Sequence, residues 1–239
     1  MTVLVTGGSR GIGAATVRAF ADSENVAFTY NASEESATLL EKQLRAFGKN
    51  ASAFRCDVTS AESVQRLCSD VKKRFGAVDV IVNCAGIADR RLFQDYTDDA
   101  WRKLFDVNCD GAFRVTRAFL PDMIGRKCGS VINVSSVWGV VGASTETAYS
   151  ASKAALIGMT RALAKEVAPS GVRVNAVAPG VVDTDMMSGY GKEERNALCE
   201  SIPLGRFAAP EEIASAIVFL AKHPYITGQV LTVDGGFTL

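Results

Sequence analysis

Short runs of β-branched and apolar residues alternate along the chain with longer stretches in which apolar residues recur every three or four positions. Val3–Thr6, Asn25–Tyr30, Ala51–Cys56, Val78–Val82, Ser130–Ser135, Val172–Ala178 and Gln229–Val233 read as strands. Between them, about 13–23, Glu34–Phe47, Ser60–Phe75, about 98–127, Tyr149–Ala168 and Glu211–Lys222 read as helices. The strands are apolar on both faces, which predicts a parallel sheet with helices covering it on both sides. The expected fold is therefore α/β, a single-domain doubly wound parallel sheet spanning 1–239.

Composition narrows what such a sheet can serve. Hydrophobic residues make up 48% of the 239 and charged ones 22%, an ordinary globular balance. Lys+Arg and Asp+Glu number 26 each, so no global field draws nucleic acid or an anionic membrane. No apolar run reaches the ~18 residues that span a bilayer. The chain enters a strand-like run at once instead of a charged-then-apolar leader, which predicts a cytoplasmic protein. The six cysteines include no CxxC pair, and His223 is the single histidine, so no metal site is expected. Buried free thiols are the expectation for the cysteines. His223 precedes Pro224 at a helix end and reads as a cap, which leaves Ser-His-Asp and Cys-His hydrolases without a base.

Candidate chemistry begins directly after the first strand. Thr6-Gly7-Gly8-Ser9-Arg10-Gly11-Ile12-Gly13 links that strand to the first helix. Glycines there permit a tight turn and close approach of main chain to a pyrophosphate, and the helix N-terminus offers free N–H groups. The spacing is GxxxGxG, with no Gly-Lys-Ser/Thr following, so a dinucleotide is favoured over ATP or GTP. No acid closes the second strand until Glu34; Arg10, Asn31 and Ser33 stand there to face a ribose 2′-phosphate, which favours NADP. Arg10 could also be a solvated loop side chain. Further on, Tyr149 and Lys153 share a helix face, a spacing common by chance. An ammonium beside a tyrosine, together with an oxidised nicotinamide, would lower the phenol pKa and suit it to proton transfer with a carbonyl or alcohol oxygen. Ser136, at a strand's carboxyl end, can hold that oxygen, and Asn108 interrupts the long helical region, where it could bond backbone carbonyls and position a water.

Together, the glycine turn, Cys56-Asp57-Val58, Asn83-Cys84-Ala85-Gly86, Asn108, Ser136, Tyr149-Ser150-Ala151-Ser152-Lys153, Pro179-Gly180, Thr184 and Asp234-Gly235-Gly236 resemble the short-chain dehydrogenase/reductases over essentially the whole chain. The resemblance implies a Rossmann-like fold, Tyr149 as acid/base, Ser136 orienting the carbonyl, and Lys153 acting on the tyrosine and the nicotinamide ribose. It implies that Asn108 holds a water in a proton relay. It places NADP(H) on Gly7, Ser9, Arg10, Ile12, Gly13, Asn31, Ser33, Asp57, Val58, Asn83, Ala85, Gly86, Tyr149, Lys153, Pro179, Gly180, Val182 and Thr184. Cys84 departs from the usual Asn-Asn-Ala-Gly.

Within the family, the chain is similar to bacterial 3-oxoacyl-acyl-carrier-protein reductases, which implies ketone reduction in fatty acid synthesis and a carrier-protein partner. Lys127 stands near one expected docking position, but Ser170 replaces an expected arginine. The stretch Ile132–Gly139 also resembles a reductase of the 5-aminopentanone modification on elongation factor P; another small ketone or a hydroxysteroid is a further alternative. The intact Asn108, Ser136, Tyr149 and Lys153 weigh against a non-catalytic NADP-sensing module. A lid is expected at about 183–201, with Met186, Met187 and Tyr190 lining an acyl pocket and Lys192-Glu193-Glu194-Arg195 starting a solvated helix. A homotetramer is implied, with Ala154, Ala155, Leu156, Met159 and Ala162 fitting a buried helix face.

Overall fold

A computed structural model describes residues 1–239. Seven strands form one sheet in the order β3-β2-β1-β4-β5-β6-β7, with every neighbouring pair parallel. The strands are β1 (Thr2–Thr6), β2 (Asn25–Tyr30), β3 (Ala51–Arg55), β4 (Val80–Asn83), β5 (Gly129–Val134), β6 (Val172–Pro179) and β7 (Val230–Val233). Nine helices accompany them: α1 (Gly11–Ala21), α2 (Glu34–Ala46), α3 (Ala61–Phe75), α4 (Asp98–Phe105), α5 (Gly111–Arg126), α6 (Trp138–Val141), α7 (Thr147–Val167), α8 (Lys192–Ser201) and α9 (Pro210–Lys222).

Alternation along each strand divides the core in two. Val3, Val5, Phe28 and Ile132 pack with Phe20 of α1 and with Ile213 and Ile217 of α9. Leu4, Ile81 and Val131 face the opposite way, onto Leu67 of α3, Phe119 and Met123 of α5 and Ala164 of α7. Both faces are thus covered, which is why the central strands carry no polar stripe. Helix starts follow local chemistry. Ser60 Oγ accepts from Ser63 N–H at 3.2 Å to open α3, and Thr97 Oγ1 accepts from Ala100 N–H at 3.2 Å to open α4.

Several boundaries differ from the sequence expectation. The region 98–127 is two helices separated by a wide π-turn at Asp106–Asp110. The short helix α6 was not anticipated. β4 begins at Val80, because Asp79 turns its carboxylate back to accept from Thr2 N–H at 2.8 Å. The expected cap is in place: His223 ends α9, its N–H donating to Phe219 O at 3.0 Å. All six cysteines are free, but only Cys56 and Cys68 are fully buried, and Cys128 is exposed. No helix is long and apolar enough to cross a membrane.

Candidate active site

The chain leaves β1 toward β2 and β3, then returns to lay β4 on the other side of β1. That reversal opens a crevice at the carboxyl ends of β1 and β4, where open α/β sheets bind ligands. A cavity of about 1180 Å³ occupies it, walled by the segments that follow β1 through β6.

One end of the cavity is built mainly from backbone. Gly7 adopts φ +64° and lies so close to β4 that a Cβ would stand 2.8 Å from Ala85 Cα. A side chain at Gly13 would collide with the Gly7 carbonyl oxygen. Thr6 Oγ1 holds the opposite wall by accepting from Cys84 and Ala85 N–H at 3.1 and 3.2 Å. The first N–H groups of α1 have no intrahelical acceptors, and its N-cap, Arg10, supplies no side-chain cap. A pyrophosphate fits this cradle: positive dipole, free donors and room that any Cβ would fill. Asp57 Oδ1 is occupied by Thr59 N–H and Oγ1 at 2.9 and 2.7 Å, which fixes the turn against which an adenine would lie. Asn31 and Ser33 line the cavity, and the Ser33 side chain does not cap α2. Arg10 also lines it, with its guanidinium 3.3 Å from Asp185. Both partners are more than half exposed, so this contact contributes at most about 1 kcal/mol and is readily exchanged.

The other end is built from buried side chains. Ser136, Tyr149 and Lys153 are 7%, 8% and 5% exposed, and all three line the cavity. Ser135 Oγ donates to Lys153 O at 2.9 Å, and Lys153 Nζ donates to Val134 O at 2.8 Å, so α7 is fastened to the end of β5. The Lys153 ammonium lies 5.7 Å from the centre of the Tyr149 ring. Gly139 lets α6 press on α7 at this point, since a Cβ there would be 2.7 Å from the Lys153 carbonyl carbon.

Burial sets the electrostatics at this end. The tyrosine pKa is not lowered by the protein's own groups; burial pushes Tyr149 up to about 12, the Ser136 hydroxyl opposing and the Glu146 and Cys84 side chains adding to it. Burial drives Lys153 the other way, down to about 8. Burial also pushes the Cys84 thiol up to about 11, which keeps it protonated and unreactive.

Two other residues stand apart from their expected places. Asn83 does not line the cavity. Its register neighbour in β5 is Asn133, and its Nδ2 donates to Asn133 Oδ1 at 2.8 Å and Thr116 Oγ1 at 3.0 Å inside the fold. Asn108 is 1% exposed and sits behind Gly86. The carbonyl it bonds is Ile87 O, at 2.9 Å, and not one in its own helix; Oδ1 accepts from Ile87 N–H at 2.8 Å and Nδ2 also donates to Ser152 Oγ at 3.0 Å. With its amide so engaged, the side chain acts by holding the Ile87 loop to α7. The remaining predicted site residues all face the cavity. Missing from the sequence reading were Arg90 and Glu146, which also line it; only the i, i+3 spacing of Glu146 and Tyr149 could have pointed to the second.

Above the cavity, Met186, Met187 and Tyr190 face it from the expected lid. Within the lid Arg195 pairs with Asp183 at 2.7 Å, and Glu194 ties the lid to Arg90 at 3.7 Å.

A glycine cradle at the switch point of a parallel sheet, opening onto a buried Ser-Tyr-Lys group, defines a Rossmann-fold oxidoreductase. A family model described as Enoyl-(Acyl carrier protein) reductase matches residues 7–238. The chain belongs to this family, a branch of the short-chain dehydrogenase/reductases, which use a nicotinamide cofactor. Its relatives include the 3-oxoacyl-[acyl-carrier-protein] reductase FabG of Thermotoga maritima, 39% identical over 238 residues, 99% of this chain and 97% of that protein. The uncharacterized oxidoreductase YmfI of Bacillus subtilis is 39% identical over 240 residues, 99% of this chain and 98% of that protein. The crystal structure of gox2181 superposes with a TM-score of 0.94 at 36% identity, covering 99% of this chain and 95% of that one.

Proposed function

We propose that the protein reduces a ketone to a secondary alcohol with NADPH, and that 3-oxoacyl thioesters on an acyl carrier protein are its substrate class. The observation that carries this reading is the convergence of Ser136, Tyr149 and Lys153 on a cavity whose far end is the glycine cradle. A nicotinamide dinucleotide in that cradle supplies a hydride to the carbonyl carbon and, when oxidised, a positive ring charge. The protein's part is played at the oxygen. Ser136 Oγ donates to the carbonyl oxygen and orients it. Tyr149, held as the neutral phenol by burial, gives its Oη proton to the oxygen as negative charge develops there. Lys153, with a pKa near 8, is poised to return a proton toward the phenolate. Closure by the lid excludes water.

Preference for NADPH rests on Arg10 in the turn after β1 and on Asn31 and Ser33 after β2, with the first acids of α2, Glu34 and Glu35, outside the cavity wall. Carrier-bound substrates are suggested by the names of the Thermotoga maritima and Vibrio harveyi relatives. A homotetramer is the assembly we propose: Ala154, Gly158 and Ala162 present small residues, exposed in the single chain, along one side of α7. Light scattering at micromolar concentration tests this, and a monomer would overturn it.

The deciding experiment follows NADPH and NADH oxidation on a short 3-oxoacyl thioester with wild type and Tyr149→Phe. Tyrosine-dependent turnover preferring NADPH is expected. An inert thioester with intact NADPH binding would move the substrate to another ketone.

A further inference from the structure

One part of the cavity wall is braced from behind. Trp138 opens the short helix α6, two residues after Ser136, and lines the cavity. Its N–H donates to Ser136 Oγ at 3.2 Å, so the indole belongs to a residue tied to the hydroxyl that meets the carbonyl oxygen. The main chain on either side is pinned. Val137 N–H donates to Pro179 O at 2.9 Å, and Gly139 presses on Lys153 of α7. The indole packs against the cluster of Leu104, Ala148 and Tyr149. Phe237, which does not line the cavity, meets it edge-on, with ring centres 5.3 Å apart and planes at 64°.

Phe237 is itself held. It follows β7 in a hook whose residues on both sides of the ring are tied to one carboxylate. Asp234 accepts from Gly236 N–H at 3.0 Å and from Thr238 N–H and Oγ1 at 2.9 and 2.7 Å. Asp234 in turn lies against Gly180 in the cavity wall, where a Cβ would stand 2.7 Å from the Asp234 Cβ. The indole therefore has a fixed backbone beneath it and a fixed ring behind it. The lid is made of softer material: Met186 and Met187 are unbranched side chains that adapt to what they touch.

A 3-oxoacyl thioester on a carrier has two arms. The arm joined to the carrier leads out past the exposed lid, because a protein does not enter a cavity of about 1180 Å³. The tail runs the other way, toward the packed side where Trp138 stands. In an open pocket each added methylene would raise affinity about fourfold. A tail that meets the braced indole gains nothing and has to displace a packed ring. Resting on the ketone-reductase reading above, we propose that Trp138 is a specificity residue that limits the length of the acyl tail, with Phe237 as the positioning residue that props it, so that the substrate class narrows to short-chain 3-oxoacyl groups.

The test compares the N-acetylcysteamine thioesters of 3-oxobutanoate and 3-oxodecanoate. Wild type is expected to favour the short one in kcat/KM by about tenfold or more. Trp138→Ala should move the long-to-short ratio up by about ten- to two-hundredfold, chiefly through KM for the long thioester, and Trp138→Phe should move it part of the way. Phe237→Ala should move it about two- to twelvefold in the same direction, the worth of one aromatic pair, and Phe237→Tyr should restore the wild-type ratio. A merely structural loss would lower both thioesters alike. Calorimetric titration of both into protein loaded with NADP⁺, where no hydride is available, reads the same preference without turnover. A wild-type preference for the long thioester, or a ratio unchanged in both Trp138 variants, overturns the proposal. A ratio that moves in the Trp138 variants but not in Phe237→Ala overturns the role of Phe237. If Trp138→Ala does not fold, Trp138→Phe and Phe237→Ala decide. If neither thioester is reduced but wild type binds the short one preferentially and Trp138→Phe loses part of that preference, the Trp138 wall stands and the ketone-reductase reading falls. If neither is reduced and neither is preferred in binding, the proposal falls.

Discussion

The turn after β1 and the start of α7 wall the same cavity with different materials. At the turn, Gly7 and Gly13 matter for the Cβ atoms they lack, and the ligand-facing groups are main-chain N–H donors on a helix dipole. Along α7, Glu146, Tyr149 and Lys153 matter for ionisable atoms that burial has moved in opposite directions, acid and phenol upward and amine downward. The first region is intolerant of added volume and indifferent to pH across the neutral range. The second responds to changes of charge.

Substitutions should separate the two. The largest effect is expected from Tyr149→Phe, which removes a single oxygen: turnover should fall about 10²–10⁴-fold while NADPH titration by fluorescence shows the cradle still occupied. Lys153→Met comes next and is read in stability. The Lys153 pKa lies near 8 in the folded chain, against an ordinary 10.5, so between those values the unfolded chain binds more protons. Stability contributed by this residue is therefore lowest below pH 8 and grows as pH rises toward 10.5, by about 3 kcal/mol in all. Thermal midpoints at pH 7.5 and 9.5 (about the ends of the usable part of that window) should show wild type gaining on Lys153→Met as pH rises. Equal pH dependence in both would remove the buried ammonium from this account.

Gly13→Ala tests the other region. Overpacking against the Gly7 carbonyl should cost about 1–3 kcal/mol and weaken NADPH binding, with no change in the pH dependence of stability. The smallest expected change is Arg10→Ala, which should narrow the preference for NADPH over NADH about tenfold, the scale of one charge-assisted contact at an exposed site. Dissociation constants for both dinucleotides check it, and an unaltered ratio would leave Asn31 and Ser33 to carry the preference.

The contrast also explains how far each region could be read from residues alone. A glycine-rich turn between an apolar strand and a helix announces itself, because few other residues suit that geometry. Most strands were legible for the same reason: in a sheet covered on both faces, hydrophobicity and β-branching coincide. Tyr149 and Lys153 were legible as a pair, but their electrostatics were not, since desolvation depends on what the fold stacks around them. Glu146 resembles any acid near a helix start until the cavity places it. Asn83 illustrates the opposite failure. Its motif pointed to the cofactor, yet pairing with Asn133 turns its amide toward Thr116 and away from the cavity.

The π-turn at Asp106–Asp110 has a consequence for how chain length can vary here. Each residue of an α-helix advances the following face by about 100°. A wide turn accommodates one residue beyond what a continuous helix would hold. Deleting Cys109 would invite α4 and α5 to fuse, and α5 could then keep Phe119 and Met123 in the core only by giving up the placement of Asn108, or the reverse. Single-residue insertions and deletions in this stretch should therefore be rejected even where substitutions are accepted. A deletion scan read by soluble yield would show a gap in tolerance at these five positions, unlike the turn at Gly48, where a side chain would meet open space.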